Sequence, residues 1–237
     1  MLRTTLTVGS FRGIPGAALP ASIGQRDAKE LRLGLWADDP IATVAAACRK
    51  TVLRIGAEME AAGAAVTDTA RPKVMSDRLY STYLALLWPT VGAGMPDKLW
   101  HELDRTARAA SAEDMASVAP KLMTASHRAW LRANEARSHI AAAWDTAFEE
   151  VDAILMPASP TQAFLHNTER PYAERMVDVD GINRPYIDTL FWAGLATAPG
   201  LPSVVIPATP MNGLPVGVQI VGRKYSDFTL LDIARTI

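Results

Sequence analysis

Trp192-Ala193-Gly194-Leu195-Ala196-Thr197-Ala198-Pro199-Gly200-Leu201-Pro202-Ser203-Val204-Val205-Ile206-Pro207, followed by Gly213-Leu214-Pro215-Val216-Gly217-Val218-Gln219-Ile220-Val221-Gly222, is the stretch on which the fold turns. Residues 203–206 and 216–221 are β-branched, apolar runs, and Pro and Gly dominate the chain between and before them. The reading is two strands pairing as a hairpin across the 207–215 loop.

Working outward, Asp152-Ala153-Ile154-Leu155-Met156-Pro157 reads as a buried strand stopped by proline. At the other end of the chain, Leu31-Arg32-Leu33-Gly34-Leu35-Trp36 reads as a strand. Asp39 then suits a helix N-cap, and Pro40 suits the first helical position. Ile41, Val44, Cys48, Val52, Ile55 and Met59 fall on one helical face. Gly63 is the expected stop, and Ala65-Val66-Thr67 a second short strand. Strand, helix and strand make a βαβ unit with parallel strands. A second helix is expected over residues 74–93, ending near Pro89, with a turn at Gly92-Ala93-Gly94-Met95-Pro96. Ser111 and Asp114 give a capping signal. A long helix is expected from Pro120 to about Glu150, with Trp130, Ala133, Arg137, Ile140, Trp144 and Phe148 on one face. Residues 165–185 are polar and turn-rich, residues 186–197 read as helix, and Leu230-Leu231-Asp232-Ile233-Ala234 as the last one. Helices alternating with strands give an α/β fold with a mixed β-sheet flanked by helices.

The chain has 237 residues, 49% apolar and 21% charged, with a net charge of −1. That composition suits a soluble globular domain with a real core. No basic stretch interleaves with aromatics, so nucleic acid is not expected as a partner. No window approaches a membrane span, and no secretory leader is visible at the N-terminus. The single cysteine, Cys48, excludes an internal disulfide and fits a cytoplasmic location. Residues 1–30 differ from the rest: Gly9, Gly13, Pro15, Gly16, Pro20 and Gly24 interrupt any period. They are expected to be an extended or poorly ordered leader, with the domain proper over residues 31–237.

Three stretches, in order, resemble the amidase-signature family: Leu31 to Trp36 with Asp38-Asp39; Asp152 through Ala158-Ser159-Pro160; and Gly200-Leu201-Pro202 to Gly222, trailed by Asp227 and Leu230-Leu231. The Gly-Leu-Pro-Val-Gly-Val-Gln run is the most specific. The resemblance is to the later half of an amidase-signature domain, and near Trp192 and Pro199 it looks more like the family's small-amide hydrolases than its tRNA-amidotransferase members. It implies acyl transfer without metal or organic cofactor: a serine attacks the amide carbonyl, a second serine bridges, and a lysine is the base. Backbone N–H groups of a Gly/Ser-rich loop hold the oxyanion, each donor worth about 3 kcal/mol of barrier. By the same resemblance, Trp192, Thr197, Pro199 and Gly200 line the substrate pocket.

The family's Gly-Gly-Ser-Ser-Gly-Gly loop is absent, no two serines are adjacent, and the first lysine is Lys29. No residue is therefore assigned a catalytic role. Gly9-Ser10-Phe11-Arg12-Gly13-Ile14-Pro15 is similar to the segment around the family's nucleophile, but its proline falls one place late; we read Ser10 as a chance match. Cys48 reads as a buried structural thiol. His101, His127, His139 and His166 show no metal-ligand spacing, so no metal site is expected. Asp38 and Asp39 read as helix-capping residues, and Gly9 to Gly16 lacks the ending of a phosphate loop.

Two functions follow. In one, the chain belongs to an amidase that cleaves a small carboxamide to acid and ammonia, completed by an N-terminal polypeptide carrying the nucleophile. In the other it is an inactive truncated remnant or an interaction module. The composition change near residue 30 is read as a reading-frame junction. An uncovered sheet edge leads to the expectation of self-association or a complementing partner.

Overall fold

The computed structural model describes residues 26–111, 117–211 and 213–237. Most of the expected leader, Ser10 within it, and Asp114 of the capping signal lie outside the described residues.

The main sheet has five strands: β1 (Arg32–Leu35), β2 (Ala65–Thr67), β3 (Ala153–Pro157), β6 (Ser203–Met211) and β7 (Leu214–Gly222). Their order is β2-β1-β3-β7-β6. β1 runs parallel to β2 and to β3, whereas β7 is antiparallel to both β3 and β6. The expected mixed sheet is therefore present, with the βαβ unit at one side. A separate hairpin pairs β4 (Met176–Val179) with β5 (Ile182–Pro185), inside the segment read from sequence as merely turn-rich.

Every residue of β3 is buried, as a strand covered on both faces requires. Ile154 and Met156 face one cluster with Trp36, Trp144, Phe148 and Trp192. Ala153 and Leu155 face a second with Leu33, Val52, Ile55, Ile220 and Ile233. Helices α1 (Ala46–Ala61) and α7 (Asp227–Thr236) contribute Val52, Ile55 and Ile233 to the second cluster. The first is covered by α2 (Ser76–Ala93), α5 (His127–Glu150) and α6 (Phe191–Thr197). Two further helices, α3 (Asp97–Ala109) and α4 (Val118–Met123), lie outside α2. Asp152 ties the start of β3 to β1. Its carboxylate accepts from Arg32 N at 2.9 Å and Arg32 Nη2 at 3.0 Å, while its own N–H donates to Arg32 O at 2.8 Å.

Several boundaries differ from the sequence reading. α1 begins at Ala46, not after Asp39. Its first N–H donates instead to Asp180 Oδ2 at 2.6 Å, a carboxylate brought in by the β4–β5 turn. Asp39 is held elsewhere, accepting from Ile41 N and from Ser76 Oγ. α2 runs through Pro89 to Ala93, with Trp88 and Gly92 buried on either side of the proline. The long helix expected from Pro120 is two: α4, with Pro120 in its first turn, and α5, which restarts where Ser126 Oγ accepts from Ala129 N. β6 and β7 extend toward each other well beyond the expected runs, until Met211 pairs with Leu214.

β6 is a sheet edge. Gly222 N donates to Pro202 O, and Ala158 N to Gly217 O, which fixes the phase of the ladder. Ser203, Val205 and Pro207 therefore turn their backbone groups away from β7. Pro207 sits where its missing N–H costs no ladder bond. Val205 is 55% exposed.

Leu155→Ala is expected to lower stability by about 2–5 kcal/mol in urea unfolding, because it empties a site between two helices and the sheet. Val205→Ala, on the outer edge, is expected to change it by about 0.5 kcal/mol or less.

Candidate functional site

The quoted stretch begins in α6 and leaves it through a tight turn. Leu201 N donates to Ala196 O at 3.0 Å and Gly200 N to Thr197 O at 3.1 Å. These two bonds make a Schellman motif with Gly200 in the left-handed position, at φ 74°. Nothing lies within 4 Å of where a Gly200 Cβ would stand, so the backbone angle rather than space demands glycine here. At Gly194 the reason is space: a Cβ would sit 2.6 Å from the Tyr83 ring of α2. That close approach brings α2 against α6 beside the turn.

A cleft of about 390 Å³ opens there. Tyr83, Leu86 and Leu87 come from α2, Trp130, Asn134 and Arg137 from α5, and Thr197 and Gly200 from the turn. Arg137 Nε donates to Asn134 Oδ1 at 2.9 Å. Trp130 stacks on His127, with centroids 6.3 Å apart. Burial pushes the Tyr83 phenol above its ordinary pKa.

Of the four residues assigned to a pocket from sequence, Thr197 and Gly200 line this cleft. Thr197 Oγ1 donates to Ala193 O at 2.8 Å, leaving its lone pairs to accept. Pro199 is buried between them. Trp192 lies in the core. Its ring is fully buried, edge-on to Trp36 at 6.1 Å and to Phe191 at 5.2 Å. Its carbonyl accepts from Gln219 Nε2 at 3.4 Å. The α5 face read from sequence as a single stripe is divided: Ile140, Trp144 and Phe148 enter the core, while Trp130 and Arg137 reach the cleft. Sequence periodicity grouped these residues but carried no signal for the helix that faces them.

A second cleft, of about 520 Å³, runs beside β6 and β7 and includes Cys48, Ser159, Gln162 and Val205.

The Amidase family's sequence profile matches residues 19–231. The chain belongs to the amidase family.

Curated relatives include a glutamyl-tRNA(Gln) amidotransferase subunit from Rickettsia bellii, 34% identical over 112 residues, or 46% of this chain and 20% of the relative. Its counterpart from Nitrosococcus oceani is 37% identical over 107 residues, 44% of this chain and 20% of the relative. Among solved structures, a bacterial aryl acylamidase of the amidase-signature family superposes with a TM-score of 0.65 at 17% identity. It matches 87% of this chain and 42% of its own. The corresponding glutamyl-tRNA(Gln) amidotransferase subunit from Thermotoga maritima matches with a TM-score of 0.59 at 19% identity, over 90% of this chain and 43% of its own. The chain thus spans less than half the length of these solved relatives, and the aligned stretch about a fifth of the curated ones. These sequence relatives are amidotransferase subunits, and the aryl acylamidase shares the fold.

Ser76 Oγ donates to the Asp39 carboxylate, and Ser81, Ser138 and Ser226 donate to backbone carbonyls. Lys121 Nζ donates to a backbone oxygen, Ser111 O. Asp38 Oδ2 stands 3.8 Å from Arg49 Nη1. Among the described residues, no three His, Cys, Asp or Glu side chains stand together as a metal-ligand set.

Cys48 is buried and free. Burial first, and the nearby Asp180 carboxylate second, push its thiol up to about 11 from an ordinary 9.0. The native thiol is expected to resist Ellman's reagent at pH 8 and to react once urea unfolds the chain. The sign for stability follows. The contribution is complete below the thiol's unfolded pKa and is lost as pH rises through the folded one, so stability declines between about pH 9 and 11. A Cys48→Ala chain with the same alkaline decline would contradict this.

Proposed function

We propose that this amidase-family chain takes part in hydrolysing a small carboxamide to a carboxylate and ammonia, jointly with a separate polypeptide that brings the nucleophile, its base and the oxyanion donors. In that reaction the C–N bond breaks, a C–O bond to water oxygen forms, and the departing nitrogen takes up a proton. The observation that carries this reading is the family match over residues 19–231 in a chain with no adjacent serines. The contribution of this chain is the apolar cleft beside the Thr197–Gly200 turn, which holds the substrate while the partner performs acyl transfer.

The outer edge of β6 is the proposed seat of that partner. The backbone groups of Ser203 and Val205 face away from β7 there, with no described strand beyond them, and the exposed Val205 side chain borders the larger cleft. Without the partner, the same edge favours association between copies. A cytoplasmic location is proposed from the single, buried, unpaired Cys48. No helix among the described residues is long and apolar enough to cross a membrane.

Reconstitution tests the reading. The pure chain alone is expected to release no ammonia from a simple aryl amide and to take no label from a fluorophosphonate. Mixed with a polypeptide carrying the earlier half of an amidase-signature domain, it is expected to do both. Steady turnover by the chain alone would remove the need for a partner, and an inert mixture would favour the remnant. In sedimentation velocity the lone chain is expected to associate, and Val205→Lys to reduce that association. A compact monomer with a cooperative melt would count against the exposed-edge argument.

A further inference from the structure

Among the described residues, the cleft beside the Thr197–Gly200 turn carries a positive charge with no carboxylate beside it. Arg137 lines it, no described Asp or Glu does, and no described carboxylate forms an ion pair with this guanidinium. The side chain is half-buried, so water screens it less than it would a surface arginine. Its bond from Nε to Asn134 Oδ1, 2.9 Å long, fixes the plane of the guanidinium. That bond uses one of five N–H donors and leaves the two Nη groups for a planar acceptor. A carboxylate matches such a fork with two parallel, charge-assisted bonds. Beside the fork, Leu86, Leu87 and Trp130 form apolar walls, and the volume of about 390 Å³ suits a small molecule.

We propose that this cleft binds small molecules joining a carboxylate to an apolar body, with Arg137 taking the carboxylate and Leu86, Leu87 and Trp130 the hydrocarbon. On the amidase reading, on which this second step rests, the substrate is an amide that carries a carboxylate elsewhere in the molecule. Arg137 then selects and orients the substrate by the end that does not react, and Thr197 Oγ1 is an acceptor for a second polar group on the ligand.

Direct binding to the full chain tests the proposal without any turnover. The probes are benzoate, 4-carbamoylbenzoate and benzamide, titrated calorimetrically and by amide and indole NMR. Both carboxylates are expected to bind and to shift the Trp130 indole resonance, assigned with Trp130→Phe. Benzamide is expected to bind at least tenfold more weakly. Arg137→Met is expected to weaken both carboxylates about tenfold or more while leaving benzamide unchanged. Arg137→Lys, which keeps the charge but not the fork, is expected to fall between. Circular dichroism and melting confirm that each variant is folded. Should Arg137→Met not fold, Asn134→Ala, which frees the guanidinium plane, is expected to weaken the carboxylates severalfold.

Benzamide binding as tightly as benzoate, or Arg137→Met binding benzoate within twofold of the natural chain, would overturn the site. Benzoate binding with 4-carbamoylbenzoate excluded would overturn the substrate assignment. An inert reconstituted enzyme alongside Arg137-dependent carboxylate binding would tell against the amidase reading alone.

Discussion

β3 is the constraint from which the rest of the architecture follows. Its five residues are buried on both faces and on both edges, between β1 and β7. A strand in that position needs helices above and below, and the chain supplies them from distant places. α1 and α7 cover Ala153 and Leu155, while α2, α5 and α6 cover Ile154 and Met156. The aromatic cluster of Trp36, Trp144 and Trp192 sits on the side of Ile154 and Met156. Because Trp192 is locked into that cluster, the turn that follows α6 is set against the sheet. The cleft beside the turn inherits its position from the core.

How far the sequence discloses this depends on whether a signal is local. Ala153 to Pro157 is a continuous apolar run, and it is a strand. The β1–α1–β2 unit follows from alternation, then helical periodicity, then a short β-branched run, and the parallel pairing is as expected. The start of α1 was not legible. Asp39-Pro40 carries every local mark of a helix start, yet the first N–H of α1 is satisfied by Asp180, far along the chain. The break near Thr124 is marked by Ser126, a good cap within what reads as continuous helix. The full length of β6 and β7 was hidden by prolines, which suggest a loop but are tolerated at an edge strand.

The cleft was legible in part. Resemblance indicated the turn, and Thr197 and Gly200 stand at its rim. The opposite wall was not legible, because it consists of side chains from α2 and α5. Their helical phases are visible in sequence, but their packing against α6 depends on the bare backbone of Gly194 beside Tyr83. Periodicity cannot tell a residue facing the core from a neighbour facing a cleft one turn away. Trp144 and Trp130 were grouped on one face and lie in different surroundings. Apolar packing thus positions Arg137, whose role is electrostatic.

The central claim is that β1, β3 and β7 form a fully protected core while the far side of β6 stands open. Hydrogen exchange, resolved by residue on the dilute chain, tests it most directly. The amides of Ile154 and Leu155 should exchange only through global unfolding, and those of Ser203 and Val205 as readily as surface amides. Protection at Ser203 and Val205 equal to that of β3, or rapid exchange within β3 itself, would contradict the account.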